Sequence, residues 1–375
     1  MTGPRQSGKT TFAKAVFGDL PYVNLESPLE RADVETDPLG FLGRFPDGAI
    51  LDEVQYTPAL LSHLQVRIDK DGRMGRWVLT GSQQIELVHG ATQSLAGRVS
   101  VLELLPFAHA ELTGSVRRPR TPDEAVLRGG YPPLYDERRD LEPSDWLENY
   151  LATFVQRDVR AVLEPRNPTA FDRFLRVCAT RTGQELNKSS LAVECEVDHK
   201  TVGHWLGALE ACYVIRLLRP HYSNFGKRLV KRPKLYFLDS GLACRLLHVS
   251  DVQQLATHPL RGALFETWCY TEVLKHFAHR GRRESLWYWR SSDGIEVDLI
   301  LERGRSLHPI EIKVGQSPTA QAASGIKKLD ELASRDERVI LEHGLVLYGG
   351  SELRTGSRHD FVPWNGIDGA LENLG

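Results

Sequence analysis

Cysteine is scarce in this chain, with five in 375 residues. Cys178, Cys195, Cys212, Cys244 and Cys269 are odd in number and widely spaced, with no C-x-x-C pair and no histidine pair at zinc-finger spacing. That pattern argues against a disulfide framework or zinc site and reads as reduced, mostly buried thiols in a cytoplasmic protein. Long apolar runs are missing too. Nothing approaches the ~18 apolar residues of a membrane span, and the N-terminus lacks a basic-then-apolar secretion signal, so neither membrane insertion nor secretion is expected. Nor is one charge in excess: 47 Lys and Arg against 49 Asp and Glu leave a net charge of -2. Any nucleic-acid contact must therefore come from a local patch. Fixed-period repeats and low-complexity tracts are absent as well.

What is present is a folded-protein composition, 41% hydrophobic and 26% charged, which supports a substantial core. The length suits two or three domains of ~100 to 200 residues each. The first ~115 residues alternate short apolar runs with helical patterns, the mark of a parallel α/β sheet. YVNLE (22–26), AILDEVQ (49–55), WVLTGSQ (77–83) and VSVLELLPF (99–107) are its strand candidates. Pro119 and Pro122 interrupt the pattern. The chain then reads helical from about 145 to 215, with a new helix after 255. These changes of texture divide it into residues 1–118, 119–255 and 256–375.

The first eleven residues, MTGPRQSGKTT, contain G-x-x-x-x-G-K-[ST]. In such a loop the backbone N–H groups surround phosphates and the next helix turns its positive end toward them. Gly3, Pro4, Arg5, Gln6, Ser7, Gly8, Lys9, Thr10 and Thr11 are thus expected to hold ATP. Lys9 would reach the β- and γ-phosphates and the Thr10 hydroxyl would hold Mg²⁺. Asp52, ending an apolar strand, is placed for the same ion, and Glu53 for polarising the attacking water. Thr80, Ser82 or Gln83 ends another strand on the same edge and could sense the γ-phosphate, or be a plain turn. Arg98 offers a cation to the nucleotide of a neighbouring subunit in a homo-oligomer, or is simply an exposed arginine.

GPRQSGKTT, LDEVQ, LTGSQQ, LAGRV and LPF, followed by RGGYP, FVQRDV, KLYFLDSGL, FETW and EVDLI, occur in that order. As an ordered set they resemble the bacterial AAA-type P-loop ATPases that carry a C-terminal domain of unknown function, number 4143 in that series. The resemblance spans about residues 3 to 350. Related chains place an apolar strand before the phosphate loop, whereas only Met1 and Thr2 precede it here. The first strand is therefore expected to be missing, and an N-terminally extended chain to bind ATP better.

In the middle segment, LNKSSLAVECEVDHKTVGHWLGALEACYVI has the form of a helix-turn-helix, with Asp198 capping the second helix. His199, Lys200, Thr201 and His204 would project from its early turns. Lys227, Arg228, Lys231, Arg232 and Lys234 are expected in a basic hairpin wing. The module faces DNA, or else is a winged helix used for protein contact with a solvated basic edge. In the C-terminal segment, GIEVDLILE and SLHPIEIKV read as two strands joined near Gly304. Strand alternation puts Glu311 and Lys313 on one face near Asp298. With Glu266 on the preceding helix these residues form a D…E-x-K pattern similar to restriction-endonuclease-type nucleases. Asp298, Glu311 and Glu266 would hold Mg²⁺ and Lys313 would assist at a scissile phosphate. Exposed alternating charge is the other reading. The whole points to an ATP- and Mg²⁺-dependent ATPase coupled to a DNA-facing, nuclease-like region, or to a nucleotide-dependent switch that binds a protein partner without cleavage.

Overall fold

The structure, a computed structural model, describes residues 1–82, 97–159, 167–221, 232–291, 293–334 and 338–374. They fall into two compact units. One comprises Met1–Pro106 with Ala211–Tyr213, the other Phe107–Glu210 with Val214–Gly375.

The first unit is built on three parallel strands, β1 (Tyr22–Asn24), β2 (Ala49–Asp52) and β3 (Trp77–Leu79), in the order β1-β2-β3. Helix α1 (Lys9–Val16) follows the phosphate loop, and α2 (Pro28–Thr36), α3 (Pro38–Gly43) and α4 (Leu60–Asp71) link the strands. The apolar run Ala49–Leu51 of β2 has a direct cause. Ala49 and Leu51 pack among Leu25, Leu42, Leu61 and Leu64, while Ile50 packs with Ala13 and Val78. A central parallel strand covered on both faces takes a near-continuous apolar run, which here ends at Asp52 on the strand's carboxyl edge.

As expected, no strand of this sheet precedes the loop among the described residues, and Thr2 contributes only isolated bridges in its place. Thr2 bridges Gly81 on one side and Glu103 on the other, both in parallel sense. Thr2 N donates to Leu102 O, Leu104 N donates to Thr2 O, and Gly81 N donates to Met1 O. The two residues therefore hold the slot between the end of β3 and segment 102–104. The expected strand at 99–107 is reduced to that bridge. Gly3 runs so close to this segment that a Cβ would lie 2.0 Å from Leu104 O, which is why the loop opens on glycine.

The second unit holds a helical region and a mixed sheet. Helices α5 (Pro122–Arg128), α6 (Pro143–Tyr150), α7 (Pro168–Thr180), α8 (Lys188–Cys195), α9 (His199–Ala211) and α10 (Ser240–Leu246) accompany a small sheet of β4 (Gln184–Glu185), β5 (Ile215–Leu218) and β6 (Lys234–Phe237). Two of the family signatures meet here: the buried Asp239 carboxylate of LDSGL caps α10 at Leu242 N and also accepts from Gly130 N of RGGYP. Helix α11 (Val252–Thr257) leads to the long α12 (Arg261–Ala278). There follow β7 (Ser285–Arg290), β8 (Glu296–Arg303), β9 (Ser306–Lys313), helix α13 (Ser324–Ala333), β10 (Ile340–Leu341), β11 (Gly344–Tyr348), β12 (His359–Pro363) and helix α14 (Ile367–Glu372). The sheet runs β12-β11-β9-β8-β7, with β7, β8 and β9 antiparallel and β9, β11 and β12 parallel; β10 pairs with β9. No helix among the described residues is long and apolar enough to cross a membrane. All five cysteines are free and buried.

Candidate functional sites

In the first unit the phosphate loop turns on three residues with positive φ, Gly3, Gln6 and Gly8. Gly8 stands immediately before α1 in the left-handed region, which aims the first N–H groups of that helix into the loop. Lys9 is buried, and its Nζ donates to the loop's own carbonyls, 3.0 Å from Gly3 O and 2.8 Å from Pro4 O. Burial pulls its pKa from 10.5 down to about 8 against the opposing pull of Glu53 and Asp52. Ser7 Oγ is buried in the loop with no hydrogen-bond partner among the described residues. Arg5 pairs with Glu26 at 3.1 Å, and Thr11 is exposed.

Asp52, at the end of β2, gathers three hydroxyls. Thr10 Oγ1 and Tyr22 OH each donate to Oδ2 at 2.7 Å, and Thr80 Oγ1 donates to Oδ1. Thr10 and Asp52 are the two residues expected at Mg²⁺, and they touch. Burial and the Asp52 carboxylate raise the Tyr22 pKa well above the usual phenol range. Glu53 follows in a left-handed backbone conformation, φ 57°, uncommon outside glycine. Its Oε2 accepts from Ser82 Oγ at 3.1 Å, and from Gln55 Nε2, which also reaches Ser82 Oγ at 3.3 Å. Ser82 and Thr80 therefore do reach the expected edge, whereas Gln83 lies outside the described residues. Arg98 Nη2 donates to Asp69 Oδ2 at 3.0 Å, within the same chain. Tyr22 and Gln55 escape a sequence reading because no spacing rule announces them.

In the second unit, α8 and α9 enclose a turn in which Glu196 is left-handed, and Asp198 accepts from Lys200 N and Thr201 N as a helix cap. His199, Lys200 and His204 are exposed. Glu194 pairs with Arg181, and Glu196 with Arg173. Lys227, Arg228 and Lys231 lie outside the described residues, and Arg232 is exposed. Lys234, expected on the exposed wing, is instead corrected to a buried position on β6, its side chain only 3% exposed. It could not lie there without counter-charges, and the C-terminal carboxylates supply them. Its Nζ stands 2.9 Å from Glu266 Oε1, pairs with Glu296 Oε1, and is 3.9 Å from Asp298 Oδ1. Tyr236 OH donates to the same Glu266 oxygen at 2.5 Å.

The register that sets Leu299 opposite Ile310 brings Asp298 alongside Glu311. Lys313 Nζ lies 3.4 Å from Asp298 Oδ2 and 2.9 Å from Glu311 Oε2. Ile312 N donates to Asp298 Oδ2, and Ile326 N, in the first turn of α13, donates to Glu311 Oε1. Burial raises the pKa of Glu311, with Asp298 adding to the effect. Burial works against the charge on Lys313, but Asp298 and Glu311 outweigh it and raise its pKa. The expected residues Asp298, Glu311, Lys313 and Glu266 thus converge on one partly buried region, with Asp298 and Glu311 buried and Glu266 and Lys313 half-buried. Glu296 was missed, although it stands two residues before Asp298 and shares its strand face.

Residues 1–113 match the AAA domain family, 120–253 a domain of unknown function (DUF8612), and 261–367 a domain of unknown function (DUF4143). Along most of its length the chain is similar to two mycobacterial proteins, uncharacterized protein Mb2031c of Mycobacterium bovis and uncharacterized protein Rv2008c of Mycobacterium tuberculosis. Each is 33% identical over 322 residues, covering 85% of this chain and 70% of the relative. The chain belongs to the AAA-type ATPases with a C-terminal DUF4143 domain. The AAA-domain match encloses the first-unit residues described above, from Gly3 to Arg98. The carboxylate residues Glu266, Glu296, Asp298 and Glu311 lie within the DUF4143 match, while Lys234 comes from the DUF8612 segment.

Proposed function

We propose that the protein is an ATP-hydrolysing switch. The observation that carries this reading is the contact of Thr10 with Asp52 beside a buried Lys9 and a held Glu53. The donors fit a Mg²⁺–nucleotide: a hydroxyl and a carboxylate already in contact, a Ser7 hydroxyl without a partner among the described residues, and a lysine held by main-chain carbonyls of its own loop. Thr10 and Asp52 would hold the ion, which neutralises phosphate charge when bound. Lys9 leaves Gly3 O and Pro4 O to reach the phosphates. Tyr22 and Thr80 fix the Asp52 carboxylate, and Glu53 takes the proton of the attacking water. Lys9→Ala should abolish nucleotide binding, whereas Glu53→Gln should keep binding and lose turnover. Wild-type protein that binds no nucleotide would sink the proposal.

The output of the switch is read as binding. The exposed His199, Lys200 and His204 at the start of α9 have the position of a recognition surface. Glu194 and Glu196 do not oppose an anionic partner there with free charge, because Arg181 and Arg173 pair with them. DNA affinity that falls steeply with salt and weakens in Lys200→Ala would support nucleic acid as the partner. Salt-insensitive or absent DNA binding would assign the surface to a protein.

A further inference from the structure

The D…E-x-K reading places a divalent ion at Asp298, Glu311 and Glu266, as hydrolysis of a phosphodiester in such a centre requires. The donors present do not fit one. Glu266, Glu296 and Asp298 do converge, each offering an oxygen within 4.8 Å of the others. The ammonium of Lys234 already serves that shell, in contact with Glu266 and Glu296 and within ion-pair range of Asp298. On the other side of Asp298, Lys313 bridges to Glu311, and main-chain N–H groups of Ile312 and Ile326 take the oxygens that face them. All four oxygens of the Asp298–Glu311 pair therefore meet nitrogen partners from the protein.

Lys234 is built into this position. It is one of four consecutive buried residues of β6, Tyr236 on the same strand face bonds the same Glu266 oxygen, and the Tyr288 ring centroid lies 5.6 Å from Nζ. A buried lysine needs anions, and a largely buried carboxylate cluster is stabilised by a cation, so the two requirements answer each other. We propose that Lys234 is a built-in cation standing where a divalent ion would be held, which makes this cluster a closed ion-pair network and not a metal centre. The inference is independent of the ATPase reading.

The test is a Mn²⁺ titration of the full, nucleotide-free chain, with free Mn²⁺ read by electron paramagnetic resonance. Wild type and Asp298→Asn should bind alike. Lys234→Met, which keeps the apolar stem and removes the charge, should gain a site on the order of tenfold tighter than any in wild type, and the added Asp298→Asn should erase it. Wild-type Mn²⁺ binding that disappears in Asp298→Asn or Glu266→Gln overturns the proposal. So does a folded Lys234→Met that gains nothing. Should Lys234→Met fail to fold, wild type against Asp298→Asn and Glu266→Gln decides.

Discussion

Lys9 is buried at a cost to its own fold. The unfolded chain keeps this proton to pH 10.5, the folded one only to about 8. At neutral pH the buried charge therefore costs roughly 3 kcal/mol, a cost that fades as pH climbs from 8 toward 10.5. Lys9→Met should accordingly raise the melting temperature of the nucleotide-free protein at pH 7, with the advantage shrinking at pH 10, and should remove any further rise on adding ATP. A lower melting point for Lys9→Met at pH 7 would contradict this. Gln55 presents a separate case, because its hydrogen bonds among the described residues go to Glu53 and Ser82. Gln55→Ala is expected to lower kcat about tenfold or more while leaving nucleotide affinity unchanged; a pure loss of affinity would refute the positioning role. Lys9, Thr10, Asp52 and Glu53 were legible because the loop and the end of a central strand fix their surroundings by short-range geometry. Tyr22 was not, since its bond to Asp52 depends on the pairing of β1 with β2. Gln55 returns to Glu53 only because Glu53 is left-handed and a tight 3₁₀ turn follows.

At the level of elements, the N-terminus of α13 is locked to the carboxylate sheet. A Cβ on Gly325 would lie 2.0 Å from Glu296 O and 2.7 Å from Glu311 Oε1. One of these neighbours is backbone, so the helix itself must move. Gly325→Ala should cost about 2 to 3 kcal/mol in chemical denaturation, and a change within about 0.5 kcal/mol would show that the helix yields freely. The β8–β9 pair was readable because apolar residues alternate with charge around a turn at Gly304. The fate of Lys234 was not. Its sequence neighbours are basic, and basic neighbours argue for an exposed wing, but its counter-charges arrive from α12 and β8, 32 and 62 residues away. Likewise, no local pattern reveals that Met1 and Thr2 can hold a strand's place, because the hydrogen bonds that hold them come from segments about 80 and 100 residues on.

At the scale of the whole molecule, two units with separate cores should answer ATP differently. At a nucleotide concentration 100 times Kd, binding adds ~2.7 kcal/mol to whatever unfolds with the site. Calorimetry should show the transition of the Met1–Pro106 unit moving upward while the other stays in place; two transitions that rise together would mean that the units unfold as one. The buried thiols provide a built-in way to watch this. Cys178 and Cys195 sit in α7 and α8, Cys244 in α10 and Cys269 in α12, and burial raises the pKa of all four. In the closed protein none is an accessible thiolate, so alkylation proceeds only through opening. Each cysteine is thus a clock for the helix that carries it, and the order in which the clocks run down would give the order in which the second unit comes apart.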